Sequence, residues 1–434
     1  MLCKISHVAA LLLGVLLSVG GASAEGAIPM RPSEQRGIER VQEYLTQERY
    51  AEAIAQLKPL LAREEHHPLV DFYRGLIAQT QEDYAAACIW FERSVAQDDS
   101  LYAGWINLAQ CRFQMQEYAA AAQAFARSYA LAEPPEPQWR YNAALAWYQA
   151  GELTRAQELM LQLLEDFPAT VELAWRELLV HIYLKQEGEQ QMRLALLQVQ
   201  ILAQQSSAAA QQRWREYLIH LYLQLKMPEQ AREFVVQLLE VESLEPRWWR
   251  IAAHLYLEAQ RYADALVALQ VAGFLAPGDP REQRLRADLC IHLGIPLQAI
   301  PYFTELLEKR SSRIEEHEVL LGLAQAYLQR HQPQEALKYL TQISATQESV
   351  SQLRLRAQIL YMLKDYSEAY AAYVALARRE QQGKARARAW LLAGYAAFHA
   401  ADLEAAQKAL RHVADESEFT AQAQQLLHHL RSLE

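Results

Sequence analysis

The sequence predicts an all-α protein assembled from antiparallel helix pairs. Three observations carry that expectation: a composition that favours helix almost everywhere, a pattern of small and large residues that returns about every 34 positions, and turn residues confined to the intervals between returns. The chain has 434 residues, 52% apolar and 22% charged, the balance of a folded rather than a disordered protein. Only 15 Gly and 15 Pro interrupt abundant Ala, Leu, Gln and Glu, all good helix formers.

The N-terminus comes first and differs from the rest. It reads MLCKISHVAALLLGVLLSVGGASAEGAIP, with one Lys, an apolar run from Val8 to Val19, and Ala22-Ser23-Ala24 as a small-residue cleavage site. That is the pattern of a secretory signal peptide over residues 1–24. The run is twelve residues long, well short of the ~20 a membrane-spanning helix needs. Cys3 precedes the run, so it does not stand where a lipid-anchored Cys would. The expected product is an exported, periplasmic chain from Glu25 without an integral membrane segment, opening on a short extension over residues 25–33. Loss of residues 1–24, which hold Lys4 and no acid, moves the formal charge from −10 to −11. Such an acidic chain is a poor binder of phosphate backbones, and nucleic acid is excluded as a partner class.

From Tyr50 onward one pattern recurs: YAEAIAQL, YAAACIWF, YAAAAQAF, LTRAQELM, PEQAREFV, YADALVAL, PLQAIPYF, PQEALKYL, YSEAYAAY and LEAAQKAL. Its shared alanines are Ala53, Ala87, Ala121, Ala156, Ala231, Ala265, Ala299, Ala336, Ala369 and Ala406, at steps of 34, 34, 35, 75, 34, 34, 37, 33 and 37. The step of 75 hides one degenerate repeat, giving about eleven. Sixteen residues before each alanine a second helix pattern begins, clearest in WINLAQCRF (Trp105, Leu108, Ala109) and WLLAGYAAF (Trp390, Ala393, Gly394). Each unit reads as two short helices, with small residues such as Ala121 and Ala265 allowing close approach and Trp105, Trp249 and Trp390 filling the space beside them. One pair cannot bury its own apolar face, so pairs must stack. Turn chemistry falls between units, at Asp98-Asp99-Ser100, Glu133-Pro134-Pro135, Phe167-Pro168 and Ala276-Pro277-Gly278-Asp279-Pro280.

These residues resemble the tetratricopeptide repeat, whose pattern is W-x2-L-G-x2-Y, then A-x3-F, then P. Trp105, Leu108, Ala109, Ala121 and Phe125 match it, as do Trp249, Tyr256, Ala265 and Pro277. Arg286 and Cys290 stand where the family has Leu and Tyr, which loosens the register of repeat eight. The resemblance implies a right-handed superhelical solenoid. Repeats one to four span 34–170, a degenerate fifth repeat and joint 171–211, and repeats six to eleven 212–413, with a C-terminal capping helix over 414–434 that places Ala421, Leu426, Leu427 and Leu430 on one side.

The resemblance also implies that the first helix of each pair lines a concave face through its second, fifth, ninth, twelfth and thirteenth positions. In repeats six to eight these include Arg213, Glu216, His220, Arg247, Arg250, His254, Glu258, Arg281, Arg284, Asp288 and His292. Arg213, Arg247 and Arg281 are 34 apart, as are Arg250 and Arg284, and His220 and His254. Such basic ladders suit a peptide partner with an acidic segment, because guanidinium groups take carboxylates in two-pronged geometry. The alternative is solvated charge paired with Glu216, Glu258 and Asp288. The first four repeats offer Phe72, Tyr73, Leu76, Ile106, Asn107, Gln110, Phe113, Tyr141, Asn142 and Tyr148, either a peptide groove of aromatic and amide groups or ordinary packing between repeats. Trp175, Trp214 and Trp248 are expected to shield neighbouring edges. Tyr361, Tyr395, Phe398 and His399 look scattered.

No catalytic, phosphate-binding or dinucleotide motif is present, and neither a cofactor nor a metal is predicted. His66-His67, Glu315-Glu316-His317-Glu318 and His428-His429 read as solvated segments. Cys88, Cys111 and Cys290 survive cleavage; an odd count is no complete disulfide framework, leaving three buried thiols or a Cys88–Cys111 bridge. The expected function is a non-catalytic scaffold for a protein or peptide. The stretches WRIAAHLYLEAQRYADALVALQVAGFLAP and LGIPLQAIPYFTELLEK also resemble exported repeat proteins that accompany TonB-type energy-transducing systems. Alternatives are an assembly factor for outer-membrane proteins or exported polysaccharide, and a solenoid-shaped cell-wall enzyme. The last lacks room, since no non-repeat segment exceeds about 20 residues.

Overall fold

The computed structural model describes residues 28–309, 316–343, 349–381, 383–413 and 418–433. The expected signal peptide with its cleavage site at Ala24, Cys3 and Glu315 lie outside them. The described residues are all-α and fall into two compact units, one up to Met227 and one from Pro228.

In the first unit α1 (Pro32–Thr46) pairs with α2 (Tyr50–Leu61), α3 (Pro68–Thr80) with α4 (Tyr84–Gln97), α5 (Tyr102–Gln114) with α6 (Tyr118–Leu131), and α7 (Pro137–Gln149) with α8 (Leu153–Asp166). Then α9 (Leu173–Gln186) pairs with α10 (Glu189–Gln205), and α11 (Ala208–Gln224) packs on α10. The second unit begins with α12 (Pro228–Val241). Its pairs are α13 (Pro246–Glu258) with α14 (Tyr262–Leu275), α15 (Pro280–His292) with α16 (Pro296–Lys309), and α17 (Glu316–Gln329) with α18 (Pro333–Leu340). The series continues with α19 (Val350–Met362) and α20 (Tyr366–Arg379), then α21 (Lys384–His399) and α22 (Leu403–Leu410), and ends on α23 (Thr420–Leu433).

Helix starts follow local chemistry. Proline opens α3, α7, α13 and α15, where its fixed φ suits the helix and its missing N–H is not needed. Asp83, Asp279, Asp365 and Asp402 accept hydrogen bonds from the first backbone amides of α4, α15, α20 and α22. The turn inside each pair ends on a left-handed residue five positions before the shared alanine: Glu48, Glu82, Gln116, Gly151, Lys226, Gln260, Gly294, His331, Lys364 and Ala401, with φ from 56° to 84°. The next amide then bonds a carbonyl five residues back, as Arg49 N does to Tyr44 O at 2.8 Å and Asp365 N to Leu360 O at 3.0 Å, which closes the helix end.

All ten shared alanines are fully buried, because a larger side chain there would separate the paired backbones. In the degenerate repeat Ala195 is equally buried. Its turn is only Glu187-Gly188, both at positive φ, and Ala195 is the seventh residue of α10 where the other shared alanines are the fourth of their helices, which displaces it from register. Equal positions of successive repeats meet: Arg31 Nη1 donates to Glu65 O at 3.4 Å, Tyr102 Oη to Glu136 Oε1 at 2.8 Å, Arg284 Nη1 to Glu318 Oε2 at 3.2 Å and Lys384 Nζ to Glu418 Oε2 at 2.8 Å, each pair 34 residues apart.

The tryptophans correct the sequence reading. Trp249 and Trp105 are only half-buried, each donating its indole N–H at 2.8 Å to a loop carbonyl six residues earlier, Ser243 O and Asp99 O. Trp248 is fully buried and its positional equivalents Trp139 and Trp214 are buried, so Trp248 and Trp214 form core where they were expected to shield edges. Trp175 and Trp390 are buried too. In α23 the buried side is Ala423, Leu426 and Leu430, while Ala421 is exposed. His66 is no solvated residue: its ring is buried and its Nε2 lies 3.0 Å from Asp71 Oδ2, which also accepts from Gln97 Nε2 at 2.8 Å. His67 caps α3, its Nδ1 accepting from Leu69 N at 3.2 Å. Cys88, Cys111 and Cys290 are free and buried; no bridge joins the first two.

Candidate functional site

In the second unit Arg247 and Arg281 occupy the second residue of α13 and α15. Both are exposed, and their backbone amides are held by Glu245 Oε1 at 3.4 Å and Asp279 Oδ1 at 2.7 Å. The capping carboxylate therefore fixes where each arginine leaves the helix. Three residues on, the second rung pairs with carboxylates. Arg250 Nε donates to Glu282 Oε2 at 2.7 Å and its Nη2 to Ala276 O at 2.9 Å. Arg284 Nε donates to Asp288 Oδ2 at 2.9 Å, and its Nη1 to Glu318. Arg250 and Arg284 thus tie one repeat to the next, a correction to their reading as ligand contacts: a guanidinium with both faces occupied by its own protein has little capacity left for a second carboxylate. His254 Nε2 lies 3.3 Å from Glu258 Oε1 within α13. Burial pushes the Asp288 carboxyl up, and the Arg284 guanidinium opposes the shift.

In the first unit Arg213 and His220 of α11 are exposed. The Arg213 guanidinium stacks over the Trp214 ring at 5.2 Å, and His220 lies 6.3 Å from Tyr217, ring to ring. Burial lowers the pKa of His181 on α9, with Glu177 opposing and Arg213 reinforcing the shift.

The aromatic and amide set divides. Phe72, Tyr73, Leu76, Ile106 and Asn107 are buried and cannot line an accessible groove. Phe72 packs between Tyr73 and Phe91 at 5.5 and 5.7 Å, the Tyr73 hydroxyl is bonded to Gln42, and Asn107 Nδ2 donates to Ala103 O at 2.8 Å within its own helix. Their small neighbour Gly75 lets α3 and α4 approach so closely that these faces become interior; a Cβ there would lie 2.7 Å from the Phe91 ring. Gln110, Phe113, Tyr141, Asn142 and Tyr148 stay half-buried. Phe113 meets Tyr118 edge-on at 5.2 Å, Asn142 Oδ1 accepts from Gln138 at 2.9 Å, and the Lys185 ammonium lies 4.8 Å above the Tyr148 ring.

The aromatic residues that look scattered in the sequence are brought together. Tyr361 of α19 lies 5.4 Å from Tyr366 and 5.9 Å from His399; His399 lies 5.1 Å from Tyr366; and Phe398 lies 5.9 Å from His429 of α23. The available signal was that Tyr361 and Phe398 precede the shared alanines Ala369 and Ala406 by the same eight residues. Among the described residues no group of three or more His, Cys, Asp or Glu gathers as a metal site, and no helix is long and apolar enough to cross a membrane.

A pair of packed helices repeated in this way, with a buried alanine at a fixed position and a left-handed residue five positions before it, defines a class of helical repeat proteins. Residues 38–101, 103–170 and 321–384 match the family model of the tetratricopeptide repeat, and these segments of the chain are tetratricopeptide repeats. Similar solved structures include the Naa15/Naa10 complex bound to HypK-THB, at 15% identity and a TM-score of 0.42, covering 87% of this chain and 62% of that one. This chain therefore spans less than two thirds of that protein. Another is PilW, a widely conserved type IV pilus biogenesis factor, at 16% identity and 0.39, covering 49% and 96%. A third is YrrB, a repeat protein with an unusual peptide-binding site, at 17% identity and 0.36, covering 45% and 97%. No curated protein sequence matches the chain.

Proposed function

We propose that the protein is a non-catalytic, exported scaffold that binds a protein or peptide segment along the first helices of its repeats. The observation that carries this reading is the placement of Arg247 and Arg281: two exposed arginines at one repeat position, each with its backbone amide held by a capping carboxylate. Preorganised cations spaced by one repeat suit an extended acidic segment, whose carboxylates they meet without much loss of side-chain freedom. In the first unit, Arg213, His220, Gln110, Phe113, Tyr141, Asn142 and Tyr148 make up a separate proposed contact set. Export rests on the apolar run and the Ala22-Ser23-Ala24 site, and a periplasmic component of a TonB-type system is the partner class we favour.

The test is capture of partners from periplasmic extract by wild type beside Arg247→Glu/Arg281→Glu. One partner should disappear from the variant while its helical circular dichroism is unchanged. An identical partner set would sink the proposal. Export is read separately, by fractionation and by N-terminal sequencing, which should begin at Glu25.

A further inference from the structure

We infer that the last turn of α20 and the first turns of α21 form a second docking surface, specific for an acidic stretch of a partner protein. Within eleven residues the sequence places Arg378, Arg379, Lys384, Arg386 and Arg388 against one acid, Glu380, in a chain whose net charge is −10. The two helices pack as antiparallel neighbours, so the last turn of α20 and the first turns of α21 lie at the same end. The local acid is already committed, Arg354 Nη2 donating to Glu380 Oε1 at 2.5 Å. Arg378, Arg379, Arg386 and Arg388 are exposed, and among the described residues no carboxylate comes within ion-pair distance of them.

Helix electrostatics explain only part of this. Arg378 and Arg379 close α20, where the negative end of the helix dipole favours cations. Lys384 and Arg386 sit in the first turn of α21, which carries no acidic residue; there the positive end of the dipole opposes them. Their placement costs stability and calls for an anion from outside the helix. The surface shows what it accepts: Lys384 Nζ already holds the Glu418 carboxylate at 2.8 Å. Four of the five cations are arginines, which take carboxylates in two-pronged geometry. The acidic remainder of the chain repels a long phosphate backbone or an anionic membrane far more than it repels a short peptide. This surface does not depend on the Arg247 and Arg281 reading, and the two are tested by different substitutions.

The probe is fluorescein-labelled decaglutamate, titrated with the full-length protein and followed by anisotropy. Binding is expected in low-salt buffer and should weaken as salt rises. Arg378→Glu/Arg379→Glu and Arg386→Glu/Arg388→Glu should each lower affinity by about tenfold or more, the loss of at least one charge-assisted contact; Arg193→Glu, at an exposed arginine outside both proposed surfaces, should leave it unchanged. If charge reversal lowers the helical signal, the Arg→Gln variants at the same four positions are read instead. No binding of decaglutamate at low salt overturns the proposal. So does affinity that survives these substitutions, or tighter binding of labelled deca-thymidylate or of phosphatidylserine vesicles.

Discussion

Arg284 Nη1 reaches Glu318 Oε2 at 3.2 Å across one repeat, while its Nε holds Asp288 at 2.9 Å within its own helix. Asp288 is half-exposed, so the interaction is modest, on the order of 0.5 kcal/mol. Burial raises the Asp288 carboxyl and Arg284 holds it down. A carboxyl raised in the folded state contributes stability below its ordinary range and loses it as pH rises through the folded value. Arg284→Gln pushes that value further up. Thermal melts at neutral pH should therefore show the variant less stable than wild type, and the gap should close near about pH 3.5, where the carboxylates are protonated.

Asp71 has no exposure, and its carboxylate gathers His66, Gln97 and, at 3.5 Å, Arg93. Asp71→Ala leaves these groups without their shared acceptor and is expected to cost about 3 kcal/mol. Urea unfolding followed by circular dichroism measures it; a change within 0.5 kcal/mol, roughly that of an ordinary surface substitution, would contradict the assigned role.

Gly394 faces Leu410 so closely that a Cβ would stand 2.5 Å from its Cδ2. Gly394→Ala should destabilise by about 1–3 kcal/mol through overpacking. Adding Leu410→Ala should cost less in that background than in wild type, because the clash is removed with the side chain. A double-mutant cycle supplies the number, and additivity would show that the two residues do not share this space.

Ala401 adopts φ 61°, a left-handed conformation that costs an L-residue about 1 kcal/mol. Ala401→Gly should raise the melting temperature, and Ala401→Val should lower it. Equal melting temperatures for all three would show that the turn is not constrained there.

Cys88 and Cys111 touch through a thiol hydrogen bond, and that bond together with burial pushes the Cys111 thiol up. Burial also pushes Cys290 up. Cys111 and Cys290 should resist iodoacetamide in the native state near pH 8 and react fully in urea, as read by mass spectrometry of their peptides; rapid native alkylation of Cys111 would contradict its burial.

Most of the architecture was legible because it is periodic. An alanine at each helix crossing is required by backbone approach, so it recurs at the pitch of the fold and needs no knowledge of its neighbours. The degenerate repeat was legible only as a gap, because Ala195 stands seventh in α10 while the other shared alanines stand fourth in their helices, out of step with the pitch. The site was much less legible. Phe72, Tyr73 and Asn107 carry the residue types of a peptide groove, yet Gly75 draws the helices together and buries them. Arg250 and Arg284 share the spacing of Arg247 and Arg281, but their acceptors come from a turn or a following helix.

Sequence by itself determined the helix pair, its pitch and which small residue stands at each crossing, since these follow from local propensity and repetition. Tertiary structure alone decided that Trp248 rather than Trp249 is core, that His66 is buried on Asp71, and which arginines remain exposed. Those outcomes depend on groups distant in sequence: a helix face is buried or solvated, and a charge satisfied or available, only once the opposing surface is in place.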